Sequence, residues 1–133
     1  FDFGTRRIGV AVGQTVTRTA NALETLESPD GGPDWAGITR LIGQWQPAAL
    51  VVGLPTHMDG TPHERTRLAR RFGNRLHGRY GLPVRWVDER LSSVEAEAQL
   101  GGGRPLDKGE VDRLSAQLIL EDWLNQDAAE ARE

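Results

Sequence analysis

The stretch Asp2-Phe3-Gly4-Thr5-Arg6-Arg7-Ile8-Gly9-Val10-Ala11-Val12-Gly13 decides the fold. Phe1-Asp2-Phe3 reads as a strand running into a tight turn at Gly4-Thr5-Arg6-Arg7. Ile8, Val10 and Val12 then alternate with Gly9, Ala11 and Gly13. That period-two pattern gives a strand with one bulky and one small face. A third strand is predicted between Thr17 and Leu26, before the breaker-rich loop Ser28-Pro29-Asp30-Gly31-Gly32-Pro33. Three strands in succession suit an antiparallel meander.

Beyond this loop the period changes. Trp35, Ile38, Leu41, Ile42 and Trp45 recur at helical spacing, predicting a helix over Pro33 to Gln46 that Pro47 ends. Leu50-Val51-Val52 is a short buried strand closed by Gly53-Leu54-Pro55. Thr61 caps the next helix, with Pro62 at its first position and Glu64 completing a capping box. This helix runs to about Tyr80 and buries Leu68, Phe72 and Leu76. Pro83 to Asp88 is a further strand. A second capping box, Ser92-Ser93-Val94-Glu95, opens a short helix to about Leu100, followed by the linker Gly101-Gly102-Gly103. Asp107-Lys108-Gly109-Glu110 caps the last helix, whose apolar stripe is Val111, Leu114, Leu118 and Leu124. The polar tail from Asn125 to Glu133 is expected to fray. The order predicts an α/β domain over residues 1–133: a mixed five-stranded sheet, antiparallel in its first three strands and then parallel, flanked by helices.

Composition narrows the function. A chain of 133 residues buries a core without staples. The lack of cysteine excludes thiol nucleophiles, disulfides and Cys-based zinc sites. Net charge is −3, and the longest apolar run, Ala48 to Leu54, is far short of the ~20 residues of a membrane helix. No secretory signal pattern is visible, so a cytoplasmic protein without membrane association is expected; the start at Phe1 rather than Met leaves room for a preceding piece. The charge is uneven. Residues 1–87 carry 11 basic and 7 acidic side chains, residues 88–133 carry 5 and 12. Lys108 is the only lysine among 16 basic residues.

Three acidic positions lie beside buried elements. Asp2 sits in an apolar strand, where a carboxylate is costly unless its charge is compensated. Asp88-Glu89 ends the strand from Pro83, and Asp112 lies one turn into the last helix. If these acids converge, their repulsion is relieved by divalent cations that prefer hard oxygen ligands, Mg²⁺ or Mn²⁺. A pair of such ions clamps the attacking and leaving oxygens of a phosphodiester. The bland reading is a strand-end acid, a helix cap and a surface acid.

Four ordered motifs favour the sharper reading. Asp2-Phe3-Gly4-Thr5 with Ile8 to Gly13 resembles the opening of the YqgF (RuvX) family, within the RNase H-like superfamily that also holds the RuvC-type Holliday junction resolvases. Val51-Val52-Gly53-Leu54-Pro55 with Met58-Asp59-Gly60-Thr61, then Asp88-Glu89-Arg90-Leu91-Ser92, then Lys108-Gly109-Glu110-Val111-Asp112 match in the same order. The resemblance spans Asp2 to about Trp123. It implies an RNase H-like fold and a metal-dependent nuclease that matures the 5′ end of pre-16S ribosomal RNA. Branched DNA is the alternative substrate. By position Asp2 matches the first-strand catalytic aspartate and Asp112 the acid of the last helix. The middle acid is Asp88 or Glu89, which strand alternation places on opposite faces. Glu89 is preferred as catalytic because the chain leaves the sheet there, while both remain candidate metal ligands. Ser115-Ala116 stands where the family often carries paired small residues.

The substrate side is read from charge. Arg65, Arg67, Arg70, Arg71, Arg75 and Arg79 crowd one helix whose apolar residues face the sheet. A polyanion riding along Arg67, Arg71 and Arg75 would bind without sequence readout; an ordinary solvated face is the plain alternative. Thr5, Arg6, Arg7, Arg90 and Lys108 lie near the acids in sequence and are candidates for holding the scissile phosphate. His57, His63 and His77 lack metal-ligand spacing, and Trp35, Trp45, Trp86 and Trp123 read as core. Two other classes compete. One is a non-catalytic nucleic-acid-binding factor for transcription or ribosome assembly. The other is an ATPase of the actin and sugar-kinase type, whose phosphate hairpin also opens Asp-x-Gly-Thr, but which needs two related domains where this chain shows no repeat. Monomer and homodimer are both open.

Overall fold

A computed structural model describes residues 1–4, 6–28, 32–55, 64–89 and 107–131, the side chains of Glu89 and of 127–131 excepted. The elements are β1 (Asp2–Phe3), β2 (Arg7–Gln14), β3 (Thr19–Glu27), α1 (Trp35–Trp45), β4 (Leu50–Pro55), α2 (Glu64–Tyr80), β5 (Val84–Glu89) and α3 (Lys108–Ala131). Among the described residues the expected order of strands and helices is present. The helix from Ser92, the Gly101–Gly103 linker and the Thr61-Pro62 cap lie outside the described residues.

β1, β2 and β3 form the antiparallel meander, with Asp2 opposite Gly9 and Gly9 opposite Thr25. β4 and β5 pair in parallel, Leu54 with Asp88 and Pro55 with Glu89. The two parts meet at Phe1. Its amine donates to the Val51 carbonyl at 2.7 Å, and the Gly53 amide donates to the Phe1 carbonyl at 3.2 Å. Bonds from one residue to positions two apart are the parallel pattern, so the three-stranded β1-β2-β3 sheet and the two-stranded β4-β5 sheet meet edge to edge at Phe1.

The two faces of β2 explain the layers. Its bulky residues Ile8 and Val10 enter a core with Leu26, Leu50 and Val52, covered by Ile38 and Leu41 of α1 and Phe72 and Leu76 of α2. Its small face admits α3. A Cβ on Gly13 would lie 2.9 Å from Leu120, and one on Gly9 would meet α3 backbone. On this side Val51 and Val87 pack against Ile119, with Leu120 and Trp123 beside them. β4 is buried from Leu50 to Leu54 because helices cover both faces, so it reads as a continuous apolar run. Asp34 caps α1, its Oδ1 accepting from the Gly37 amide at 3.0 Å.

Three expectations change. The line of α3 most deeply buried is Ser115, Ala116, Ile119 and Leu124, whereas Val111, Leu114 and Leu118 are only partly covered. Small residues win there because α3 lies close on glycine. Trp45 is 45% exposed at the end of α1 rather than in the core. The backbone of α3 stays helical to Ala131, through most of the stretch expected to fray, which carries the strong helix formers Ala128, Ala129, Glu130 and Ala131.

Candidate active site

The site is assembled by close approach of α3 to the sheet. Asp107 caps the helix, its Oδ1 accepting from the Glu110 amide at 2.7 Å. That bond holds the Asp107 carboxyl below its ordinary pKa, and Arg113 lowers it further. The Thr25 hydroxyl of β3 donates to the Gly109 carbonyl at 2.8 Å and accepts from Arg113 Nη1 at 3.2 Å. Further along, Gln117 Oε1 accepts from the Ala22 amide of the outer strand at 3.1 Å. These polar contacts fix the first three turns of α3 over β2 and β3.

Within this span α3 lands on Gly9. A Cβ there would be 1.9 Å from the Asp112 carbonyl oxygen and 2.4 Å from its carbonyl carbon. Only a glycine lets the helix come this near. Asp2 is opposite Gly9, and opposed residues of an antiparallel pair share a face. The half-buried Asp2 of the first strand and Asp112 of the last helix therefore lie on one side of the sheet, with the glycine between them.

Arg7 belongs to the same face, two residues before Gly9. Its Nε donates to Asp112 Oδ2 at 2.7 Å, and the two side chains are 31% and 23% exposed. Arg7, expected to hold the scissile phosphate, is ion-paired with the Asp112 carboxylate. On β5, Val87 packs toward α3. Trp86 packs toward α2, where a Cβ on Gly73 would lie 2.3 Å from its ring. Asp88 is exposed. Thr5, Arg90 and the Glu89 side chain lie outside the described residues.

Among the described residues no three acidic or histidine side chains form a ready-made metal cluster. The chemistry of the donors nevertheless fits Mg²⁺ or Mn²⁺. They are hard carboxylate oxygens, and one of them already holds a cation, the Arg7 guanidinium.

Arg6 and Lys108 are exposed near this end of the sheet. α2 begins there too, its Thr66 hydroxyl donating to the Pro55 carbonyl at the end of β4. Arg67, Arg71 and Arg75 are exposed and, with Arg70 and Asn74, line a shallow groove. Arg67 pairs with Glu64 at 2.5 Å, which lowers the Glu64 pKa and raises that of Arg67. Arg70 lies over Trp86 at 5.3 Å, and Arg79 covers Trp35 at 4.0 Å. Trp35 also stacks on Phe72, so it is a packing residue. A cavity of about 490 Å³ lined by Val12, Trp45, Leu50 and Trp123 sits toward the other end of β2 and holds no acid. The reading of residues one by one missed the Arg7–Asp112 pair and the Thr25 anchor; the small face of β2 was the one signal pointing to them.

An antiparallel β1-β2-β3 sheet abutting a parallel β4-β5 pair, with an aspartate of the first strand on the same face as an aspartate of the last helix, defines an RNase H-like protein. A family model described as RuvX, Holliday junction resolvase, matches residues 1–126, and the chain belongs to that family. It is similar to proteins of Yersinia enterocolitica, Yersinia pestis and Yersinia pseudotuberculosis, each named "Putative pre-16S rRNA nuclease". Each is 56% identical over 131 residues, covering 96% of this chain and 94% of the relative. Among the described residues no helix is long and apolar enough to cross a membrane.

Proposed function

We propose that this chain is a cytoplasmic nuclease that hydrolyses phosphodiester bonds of pre-16S ribosomal RNA at its 5′ end, using Mg²⁺ or Mn²⁺ held by Asp2, Glu89 and Asp112. The observation that carries this reading is the placement of Asp2 and Asp112 on one face across Gly9. Strand alternation gives Glu89 the parity of Val87, which packs toward α3, and gives Asp88 the parity of Trp86. This supports Glu89 as the third acid.

When bound, the ions supply charge stabilisation at the attacking and leaving oxygens and a more acidic water. The protein's own residues do the positioning. Thr25 and Gly9 set the height of Asp112 over the sheet, and Arg7 orients its carboxylate. Arg6 and Lys108 flank the acids and suit phosphate oxygens, as do Thr5 and Arg90 by their place in the sequence. Arg67, Arg71 and Arg75 carry the strand backbone away from the acids along α2, without reading its sequence.

The test is incubation with pre-16S ribosomal RNA and with a four-way DNA junction, each with Mg²⁺, Mn²⁺ or chelator. Metal-dependent scission of the RNA is expected. Scission of the junction alone would establish the second reading, a junction resolvase, which the description of the family favours. Binding without scission under every condition would leave a non-catalytic factor.

A further inference from the structure

The contact between Arg7 and Asp112 joins residues 105 positions apart, yet it is not what holds α3 in place. The Thr25 bonds and the seat on Gly9 do that, and a part-exposed ion pair adds little to stability. Its weight is electrostatic. Arg7 shares a face with Asp2, Gly9 and Asp112, so its charge stands among the acids.

We propose that Arg7 is a resident counter-ion of the cation site: its guanidinium holds Asp112 in the free protein and competes with a divalent ion for that carboxylate. This rests on the reading of Asp2, Glu89 and Asp112 as a cation site. Three carboxylates and the Arg7 guanidinium sum to two negative charges, and the exposed Arg6 and Lys108 nearby leave no surplus for a second divalent ion. The free protein then loads a single ion, and loads it weakly. Arg7 is thus a positioning residue that also sets the affinity of the site for metal.

The test is a Mn²⁺ titration of the full chain without nucleic acid, following free Mn²⁺ by electron paramagnetic resonance. One ion per chain is expected. Arg7→Gln should tighten binding roughly tenfold, the order expected for removing one unit charge a few ångströms away in a wet site. Arg7→Lys should stay near the parent. Two ions per parent chain, or affinity unchanged or weakened in Arg7→Gln, overturns the proposal. Loss of Mn²⁺ binding in Asp112→Asn would then show that the cation site itself still stands. If neither the parent nor Arg7→Gln binds Mn²⁺, the cation site and the role of Arg7 fall together. Should Arg7→Gln lose its circular dichroism, Arg7→Met keeps the apolar stem and is judged by the same outcomes.

Discussion

Gly9 of the second strand lies directly beneath the backbone carbonyl of Asp112, so close that a methyl group on it would sit 1.9 Å from that oxygen. Gly9→Ala therefore drives a side chain into main-chain atoms that have no rotamer to change. A loss of about 3 kcal/mol is expected, at the upper end for overpacking. Because the helix is lifted at Asp112 itself, cleavage should fall further than the unfolded fraction accounts for. Urea melts and cleavage rates on the same samples check both; a variant of parental stability and activity would refute the close seat.

The three acids are separable. Asp2→Asn, Glu89→Gln and Asp112→Asn should each reduce cleavage by more than the roughly 10–100-fold that loss of a residue supporting a metal ligand costs. Thermal midpoints should stay near the parent's. Asp88→Asn should keep cleavage within a few-fold. The reverse result for the Asp88 and Glu89 variants would put the middle acid on the α2 side of the sheet.

The arginine groove on α2 makes a salt prediction. Arg71→Gln and Arg75→Gln together should weaken binding alike for unrelated sequences. If each side chain meets one phosphate, the slope of log affinity against log salt should fall by about 0.7–0.9 per arginine. An unchanged slope would make this an ordinary solvated face.

The cap of α3 carries a pH dependence. Asp107 is held below its ordinary carboxylate value of 3.8, chiefly by the Glu110 amide. A carboxylate depressed in the folded state stabilises it fully above the unfolded value and loses that contribution as pH falls through the lower folded one. The thermal midpoint should thus drop on acidification below about pH 3.8, more steeply in the parent than in Asp107→Asn, which still accepts the bond but cannot ionise. Parallel curves would show that the cap does not depend on charge.

Much of this was legible in residue order. The alternation of Ile8, Val10 and Val12 with Gly9, Ala11 and Gly13 foretold a strand between two unequal layers, because period two needs only near neighbours. The cap at Asp107, and the acids at Asp2 and Asp112, are likewise local chemistry or motif. The side of β5 that α3 covers was not legible, since alternation separates the two faces without saying which one the helix takes. Nor was the exposure of Trp45, whose helical spacing matches that of Ile38 and Leu41.

The linear chain by itself determined the mixed α/β arrangement and the cap of the last helix, since each follows from periodicity, capping or motif. Tertiary structure alone decided that Arg7 holds Asp112, that Thr25 anchors Gly109, and that Ser115 and Ala116 rather than Val111 and Leu114 lie deepest. Those outcomes depend on how near a helix can come to a sheet. That distance is set where Gly9 meets a backbone more than a hundred residues away, and no local pattern encodes it.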